Sequence, residues 1–475
     1  MAPETPPLYQ QSARAVVAAL RDGQITPHDA IDAVEARWQD VDKAVNAMPT
    51  TCFDRARAAA DALLQKPVEE RGLLAGLPVA IKDLSDVAGV RSTQGSPIFA
   101  DHVPEHSAFI VTTIEAAGGI VTGKTNTPEF GAGANTFNPV FGATRNPWNT
   151  ALSAAGSSGG SAVALATGTA WLAHGSDLGG SLRNPASFNG IVGLRPSPGR
   201  VASGPLANLF DTLGMDGPMA RDVPDLALLL DAMAVTDTRA PLSLETPARS
   251  FLAAAEARTP PRRVAFSPDL GITPVDSRVE ACCRDAVAKL ADQGVEVIEA
   301  HPDFSEAHEA FQILRAHGFA SALHDLYEHK RDQLKPEVVW NIEKGLDLTG
   351  GEIARAERQR STIFARVAAF MEEVDLLLTP ATIVPAYPVE ERYVTACNGV
   401  EFSTYIDWLA IAYAITLTGL PALSVPAGLT PEGLPVGLQM VGRTRGEAML
   451  LSHAAWTEET LGRLPTPIDP CLSPS

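Results

Sequence analysis

The sequence has 475 residues, of which 45% are hydrophobic and 20% are charged, a composition typical of a soluble globular chain with a large core. Its formal net charge of −19 disfavours binding to nucleic acid or to an anionic membrane. The five cysteines are irregularly spaced and include no CxxC pair, which excludes a disulfide framework and a zinc ribbon. The sequence contains neither a secretory signal nor an apolar run near the ~18 residues of a membrane span, so we expect a cytoplasmic protein.

Helical patterns dominate the N-terminal part of the chain. Ser12 is placed to cap a first helix, and Thr26 is placed to cap a second helix that has Pro27 at its first position. A third helical pattern covers about residues 52–65. We interpret residues 1–70 as a helical layer that packs on the rest of the chain.

The remaining residues, 71–475, are predicted to form a single α/β domain. Strands are predicted at 77–84, 120–124, 263–267 and 295–299, and helices at 107–117, 221–233 and 276–293. This alternation indicates a large mixed, mostly parallel β-sheet that is covered by helices on both faces.

Residues 301–360 interrupt this alternation. They hold five of the ten histidines, many charged residues and a helical periodicity without strands. We interpret them as a helical excursion that covers the substrate side of the sheet. The strand pattern returns at 374–380 and in a probable hairpin at 421–442, and a last helix is predicted near 446–462.

A phosphate-loop pattern, GxxxxGK[ST], is present at residues 118–125 and contains Lys124. A phosphate-binding loop follows a strand and opens a helix. Here a helical pattern precedes the match, and Ile120 and Val121 have the character of a strand inside it. The pattern therefore favours a structural strand over a nucleotide site.

A second pattern, GxSxG at residues 156–160, places Ser158 at the position of a nucleophile elbow. Such an elbow requires a core strand immediately before it, and residues 146–155 do not have a strand pattern. It also requires a downstream histidine, for which His453 is the late candidate. His453 lies in a predicted helix and is more simply explained as structural.

A third arrangement combines Lys82 with two glycine-flanked serines, Ser157 and Ser181. Lys82 lies in an apolar strand pattern, where desolvation lowers the pKa of a lysine so that the neutral amine can act as a base. Ser181 follows two glycines, so that neighbouring backbone N–H groups are able to converge on one oxygen. Taken alone, Lys82 is equally explained as a solvent-exposed residue or as a partner of Asp83.

This combination resembles the amidase signature family over essentially the whole chain. The segments that carry the resemblance are GLPVAIKDL (76–84), GGIVTGKTNTPEF (118–130), GSSGGSAVALATG (156–168), GSDLGGSLRNPASFNGIVGLRPS (175–197) and DTLGMDGPMARDVPDLALLLDAM (211–233). The step from Ser157 to Ser181 equals the family's spacing between its two catalytic serines. The resemblance implies the amidase signature fold.

The resemblance also implies a Ser–cisSer–Lys triad. Ser181 corresponds to the nucleophile, Ser157 to the bridging serine after a cis peptide bond from Gly156, and Lys82 to the base. The implied oxyanion hole consists of the backbone N–H groups of Leu178, Gly179, Gly180 and Ser181. The implied supporting residues are Ser158, Ser176, Asp177 and Arg183, each of which is equally explained as purely structural. Neither a cofactor nor a metal is expected.

The C-terminal stretch 405–422 is apolar and aromatic, which favours a substrate larger and more apolar than glutamine. The candidate pocket walls, each also explicable as core, are Leu209, Phe210, Phe319, Tyr405 and Trp408. We therefore expect a standalone hydrolase, monomeric or homodimeric, that cleaves apolar or aromatic carboxamides, including anilides or carbamates.

Two other functions stay open at this stage. The family also contains the glutamine amidotransferase subunit that acts on misacylated tRNA, but the basic segment by which that subunit recognises glutamine has no match in this chain. An inactive scaffold subunit is the non-enzymatic alternative, and the intact Ser/Ser/Lys set argues against it.

Overall fold

A computed structural model describes residues 6–472 of the chain. The described α-helices are α1 (Ala13–Arg21), α2 (Pro27–Val45), α3 (Phe53–Leu64), α4 (Phe109–Ala116), α5 (Gly159–Thr167), α6 (Arg183–Asn189), α7 (Val223–Met233), α8 (Phe251–Ala257), α9 (Ser277–Asp292), α10 (Ala307–Lys330), α11 (Pro336–Leu346), α12 (Gly350–Phe370), α13 (Ala410–Thr418) and α14 (Glu447–Leu461). The helices predicted from the sequence are present, with bounds within a few residues of those expected. The predicted helical region 301–360 contains α10, α11 and the first half of α12.

The described β-strands form one large sheet and two small ones. They are β1 (Thr50–Thr51), β2 (Pro78–Lys82), β3 (Ile120–Thr125), β4 (Phe137–Asn138), β5 (Gly142–Ala143), β6 (Leu172–Asp177), β7 (Val192–Arg195), β8 (Met215–Ala220), β9 (Arg263–Phe266), β10 (Glu296–Glu299), β11 (Leu376–Pro380), β12 (Ala396–Cys397), β13 (Val400–Glu401), β14 (Ala422–Leu429) and β15 (Pro435–Val441). The large sheet has eleven strands in the order β1-β3-β2-β6-β8-β7-β14-β15-β11-β9-β10.

The pairing directions in this mixed sheet follow from how the strands are connected. β2 pairs in parallel with β3 and with β6, and β9 pairs in parallel with β10 and with β11. Helices lie between these strands in the chain, and a crossover of that kind permits parallel pairing. The middle of the sheet, from β6 through β8, β7, β14 and β15 to β11, is antiparallel. The strand–helix–strand units visible in the sequence are thus the parallel flanks of the sheet.

The N-terminal helices begin at the expected caps. The Ser12 side chain accepts a hydrogen bond from the backbone N–H of Ala15, and Thr26 and Asp29 form a reciprocal capping box at the start of α2. Apolar residues of α1, α2 and α3 belong to the same hydrophobic core as the strands of the large sheet. The helical layer therefore shares its core with the α/β region.

Helix α5 lies at the centre of the fold, and all of its residues are buried. It packs against β2, β3, β6 and β8. Small residues permit this close approach: a Cβ atom on Gly160 would lie 2.3 Å from the backbone nitrogen of Asn126 and 2.6 Å from the carbonyl oxygen of Ala47. Both obstructing atoms belong to the backbone, so side-chain rotation cannot relieve the clash.

We expect Gly160→Ala to lower the free energy of unfolding by about 1–3 kcal/mol, the usual cost of overpacking a rigid core. Gly350→Ala is the matched control, because Gly350 also lies in the first turn of a helix but has no atom within 4 Å of the added Cβ. Chemical denaturation of both variants measures the difference. Equal stability of the two variants would contradict the packing argument.

Candidate active site

Two neighbouring strands bring the predicted site residues to one edge of the sheet. β2 and β6 pair in parallel, so their carboxyl ends lie at the same edge. Lys82 is the last residue of β2, and Ser181 follows shortly after Asp177, the last residue of β6. Ser157 lies in the turn before α5, which packs on both strands. α/β folds place ligands beyond the carboxyl ends of their parallel strands.

The Lys82 side chain is fully buried among hydroxyl groups. Its Nζ lies 2.7 Å from Ser157 Oγ, 3.0 Å from Ser176 Oγ and 3.4 Å from the carbonyl oxygen of Ser176. Burial lowers the pKa of Lys82 to about 7, although the charges of Asp177 and Asp216 oppose the shift. A substantial fraction of this amine is therefore neutral near pH 7 and able to accept a proton.

Asp83, the alternative partner considered for Lys82, bonds elsewhere. Its carboxylate accepts hydrogen bonds of 2.6 Å from Lys124 Nζ and from Thr93 Oγ1. Lys124 is itself fully buried in β3 and also donates to Ser92. The phosphate-loop pattern is thus a strand whose lysine is held in a buried ion pair, and it provides no free loop for a phosphate.

Ser157 follows a cis peptide bond from Gly156, as the family resemblance implied. Its side chain is almost completely buried, yet it contributes to the wall of a cavity together with Ser181. The Lys82–Ser157 contact therefore links a buried amine to a hydroxyl group at the cavity surface.

The loop between β6 and α6 presents backbone N–H groups to the same cavity. Leu178, Gly179 and Ser181 all line the cavity, and within residues 6–472 their N–H groups donate no hydrogen bond. The N–H of Gly180 differs, because it donates to Asp177 Oδ1 at 2.9 Å. The N–H of Gly180, one of the four predicted oxyanion-hole donors, is therefore occupied by a carboxylate. The N–H groups of Leu178, Gly179 and Ser181 remain available to bind an oxygen in the cavity.

Asp177 fixes the conformation of this loop. Its buried carboxylate accepts hydrogen bonds from Arg183 Nε at 3.0 Å and Nη2 at 2.9 Å, and from the N–H of Leu182 at 3.1 Å. Arg195 Nη1 lies 3.6 Å from the same carboxylate. Burial alone raises the pKa of Asp177, but the charges and hydrogen bonds of Arg183, with Arg195, hold that pKa well below its usual range.

Ser158 and Ser176 connect the two serine loops; Ser176 lines the cavity, and Ser158 lies behind its wall. Ser158 Oγ donates to the carbonyl oxygen of Ser176 at 3.2 Å, and the Ser158 N–H donates to the carbonyl oxygen of Ser181 at 3.2 Å. Ser158 is fully buried, and His453, its possible partner in a nucleophile elbow, bonds the carbonyl oxygen of Thr259 through Nδ1. This geometry does not provide a serine–histidine pair at Ser158.

The cavity beside Ser157 and Ser181 has a volume of about 550 Å³. This size is typical of pockets for small organic ligands. Its apolar wall includes Leu84, Phe130, Leu178, Leu206, Met215, Phe311, Phe319, Ile406 and Leu409. Its charged and histidine lining consists of Asp86, His102, Glu105, His106, Asp177, Asp211, Asp216 and Arg315.

Of the five predicted pocket residues, the structure places only Phe319 on this wall. Tyr405 is buried behind the wall and contacts Arg315, while Trp408 lies in the hydrophobic core. Leu209 and Phe210 lie outside the cavity, and 70% of Phe210 is exposed. Burial of an aromatic residue does not indicate which cavity it faces, so the sequence alone does not separate wall from core.

Sequence reasoning missed most of the contribution of α10. Phe311, Arg315 and Phe319 line the cavity from successive turns of this helix. Residues spaced by four share one face of a helix, so this spacing was the available signal. It was obscured because α10 has no single apolar stripe along its length.

Known proteins are similar to this chain over nearly its whole length. A sequence model of the Amidase family matches residues 29–451. The chain is a member of the amidase signature family. An acylamidase from Rhodococcus erythropolis is 35% identical to this amidase over 456 residues, which cover 94% of this chain and 95% of that protein.

Two further relatives span nearly the full length. The A-type subunit of glutamyl-tRNA(Gln) amidotransferase from Anaeromyxobacter dehalogenans (strain 2CP-C) is 34% identical over 492 residues, covering 96% of this chain and 97% of that protein. The crystal structure of a bacterial aryl acylamidase of the amidase signature family superposes with a TM-score of 0.89 at 26% identity, covering 98% of both chains. The predicted fold and the predicted class, a hydrolase of amide C–N bonds, are confirmed.

Membrane spans and metal clusters are both absent from the described part of the chain. Between residues 6 and 472, no helix is long and apolar enough to cross a bilayer. The same residues contain no cluster of three or more histidine, cysteine or acidic side chains able to hold a metal ion.

We expect Asp177→Asn to lower the free energy of unfolding by about 3–5 kcal/mol, because it leaves two buried guanidinium groups without their counter-ion. Glu299→Gln is the control, since it removes an equally direct pair with Arg284, at 3.0 Å, in which both side chains are solvent-exposed. That variant is expected to change stability little. A similar loss in both variants would contradict the assigned role of Asp177.

Proposed function

We propose that this amidase hydrolyses the C–N bond of an apolar or aromatic carboxamide through an acyl-enzyme on Ser181, with Ser157 and Lys82 as the proton relay. The observation that carries this proposal is the 2.7 Å contact between Lys82 Nζ and Ser157 Oγ. The pKa of about 7 for Lys82 supports it, because a relay needs a base that is neutral at the working pH.

In the proposed acylation step, Ser181 Oγ attacks the carbonyl carbon of the amide. Ser157 takes the proton of Ser181 as it passes its own proton to the neutral amine of Lys82. The negative charge then rests on the carbonyl oxygen of the tetrahedral intermediate. When that intermediate collapses, the C–N bond breaks and the proton returns through Ser157 to the leaving amine.

Deacylation repeats the relay with water. The water loses its proton through Ser157 to Lys82 and attacks the acyl carbon. The C–O bond to Ser181 then breaks as that proton returns through Ser157 to Ser181 Oγ, which releases the carboxylic acid and restores the free serine and the neutral lysine. Splitting the hydrolysis into these two steps replaces one difficult reaction with two easier ones.

The N–H groups of Leu178, Gly179 and Ser181 are proposed to stabilise the charged oxygen. They line the cavity without other hydrogen bonds among the described residues, so they need not break a bond to act. Each such donor typically contributes about 10²–10³ in turnover. Asp177 is proposed as a positioning residue, since it orients the loop through Gly180, Leu182 and Arg183.

The apolar part of the cavity wall supports a substrate with a hydrocarbon or aromatic portion. Phe130, Phe311, Phe319, Ile406 and Leu409 surround this portion of the cavity. The names of two relatives, an acylamidase and an aryl acylamidase, agree with amides or anilides as substrates.

A second candidate function is that of the A-type subunit of a glutamyl-tRNA(Gln) amidotransferase. The full-length relative at 34% identity supports it. The two candidates differ in substrate: the first predicts turnover of an aryl amide by the isolated chain, and the second predicts that glutamine is the preferred amide.

A fluorophosphonate probe should label Ser181 in the wild-type protein. Ser181→Ala is expected to remove the label and to lower the turnover of an acyl para-nitroanilide by at least ~10³-fold, because it removes the nucleophile. Mass spectrometry locates the label, and the release of nitroaniline measures turnover. Ser361→Ala, an exposed serine of α12, is the control and should retain both.

Each alternative gives a different result in the same assays. Labelling at Ser158 would support the nucleophile elbow. Hydrolysis of glutamine in strong preference to the anilide would support the amidotransferase function. Full turnover in Ser181→Ala would refute the proposed mechanism.

The pH dependence of kcat/KM should show the titration of the proposed base, Lys82. Lys82 acts in its neutral form, and lysine is neutral above its pKa, so kcat/KM is expected to fall about tenfold per pH unit below pH ~7 and to level off above it. Stopped assays across this range measure the midpoint, and the exposed Lys289→Gln of α9 serves as the control. A midpoint near ~10, the value of an ordinary lysine, would contradict the role of buried Lys82.

A further inference from the structure

Arg315 is a buried cation on the wall of the cavity. It lies on α10, between Phe311 and Phe319, which contribute to the wall one turn before it and one turn after it. Only 6% of its surface is exposed. Within the described lining, it is the only lysine or arginine.

The partners of Arg315 are all uncharged. Its Nη1 donates to Asn341 Oδ1, its Nη2 donates to the Tyr405 hydroxyl at 2.7 Å, and the Phe319 ring lies with its centroid 4.5 Å from the guanidinium carbon. Among residues 6–472, Arg315 forms no ion pair. A guanidinium group has five N–H donors, so these two hydrogen bonds leave three donors unused.

The other buried guanidinium groups near the site each have a carboxylate partner, which Arg315 lacks. Arg183 and Arg195 both lie against the carboxylate of Asp177. Glu337, on α11 beside Arg315's partner Asn341, is already bonded to Arg392 at 2.7 Å. A buried charge without a counter-ion is costly, and a guanidinium group cannot lose its proton at physiological pH. The structure therefore leaves one permanent buried charge uncompensated at the cavity.

The acidic residues of the lining do not supply the counter-ion. Asp177 forms an ion pair with Arg183, and Asp216 lies 3.0 Å from the His174 ring nitrogen. Asp211 accepts hydrogen bonds from the backbone N–H groups of Leu213 and Gly214. Asp86 and Glu105 line the cavity from a different segment of the chain, and neither forms an ion pair with Arg315. An anionic group that enters the cavity is thus attracted at the Arg315 wall and disfavoured at the acidic part of the lining.

We propose that Arg315 binds a carboxylate group of the substrate and thereby selects amides that carry a carboxylate away from the scissile bond. This inference rests on the proposed function and narrows its substrate class. The planar fork of a guanidinium group matches the two oxygens of a carboxylate. The Phe319 ring and the Tyr405 hydroxyl fix the orientation of that fork.

Helix α10 sets the distance between the loop of the proposed oxyanion hole and Arg315. The Phe311 ring lies 3.3 Å from the position that a Cβ on Gly179 would occupy, so Phe311 adjoins the loop of the proposed oxyanion hole. Arg315 follows one helical turn later, a rise of about 6 Å. The carboxylate is therefore separated from the scissile carbonyl by a few carbon atoms, and the apolar wall encloses that linker.

The test compares matched pairs of para-nitroanilides. In one series the acyl chain ends in a carboxylate after two, three or four methylene groups, and in its neutral partner an isopropyl group replaces the carboxylate with nearly the same shape. A second series places the carboxylate or the isopropyl group on the aryl amine. We expect the wild-type enzyme to prefer the carboxylate in at least one series, and Arg315→Met to lower that preference roughly 10- to 100-fold.

Two variants separate charge from packing. Arg315→Lys keeps the charge without the fork and is expected to retain part of the preference. Arg355→Gln on α12 is the control, because Arg355 is exposed and pairs with Glu309 outside the cavity. An equal loss on charged and neutral anilides in Arg315→Met, or a wild-type preference for the neutral partner in both series, would overturn the proposal.

A binding measurement without turnover keeps the two proposals distinguishable. Calorimetry is expected to show that adipate binds the wild-type protein at least about tenfold more tightly than hexanediol does. Binding of adipate together with no detectable binding of hexanediol would also support the carboxylate site. Equal affinity for the two probes would overturn the carboxylate site, whether or not Arg315→Met folds. Absence of turnover on every anilide, or turnover that survives Ser181→Ala, would instead overturn the proposed amidase mechanism.

Discussion

The burial of Lys82 at the carboxyl end of β2 is the constraint on which the proposed chemistry depends. Its amine is removed from water and contacts hydroxyl groups instead of a carboxylate, and its pKa therefore falls to about 7. An ion pair with Asp83 would hold the lysine in its charged form. The buried pair between Asp83 and Lys124 removes that possibility and leaves Lys82 free to exchange a proton with Ser157.

Two buried basic side chains near the site, Lys82 and Arg315, have no carboxylate partner. They differ in whether they can lose a proton, and this difference gives them different proposed roles. Lys82 relieves the cost of burial by losing its proton, which converts it into a base. Arg315 keeps its charge, so its cost of burial is relieved only by an anion, and we propose that the substrate supplies that anion. Arg315 lines the cavity, and Lys82 lies behind the cavity wall in contact with Ser157, which lines it. Burial of charge thus accounts for the proposed base and for the proposed selectivity.

Several features of the fold were accessible from the sequence because they depend on neighbours in the chain. The caps at Ser12 and Thr26, the strand–helix–strand units and the helical region at 301–360 all follow from local spacing. β7 and β8 were not predicted, because their antiparallel pairing depends on strands distant in the chain. Two of the predicted pocket walls, Trp408 and Phe210, lie outside this cavity. Hydrophobicity in the sequence does not indicate which space a side chain faces.

By itself the sequence determined the fold class, the family and the positions of Lys82, Ser157 and Ser181, because short motifs with fixed spacing carry that information. Only the tertiary structure decided that Lys82 avoids Asp83, that the N–H of Gly180 bonds Asp177, and that Arg315 reaches the cavity without a counter-ion. Each of these results depends on which groups share a buried volume. Burial and the electrostatic interactions that accompany it arise from residues distant in the chain, so they exist only once the sheet and its helices have assembled.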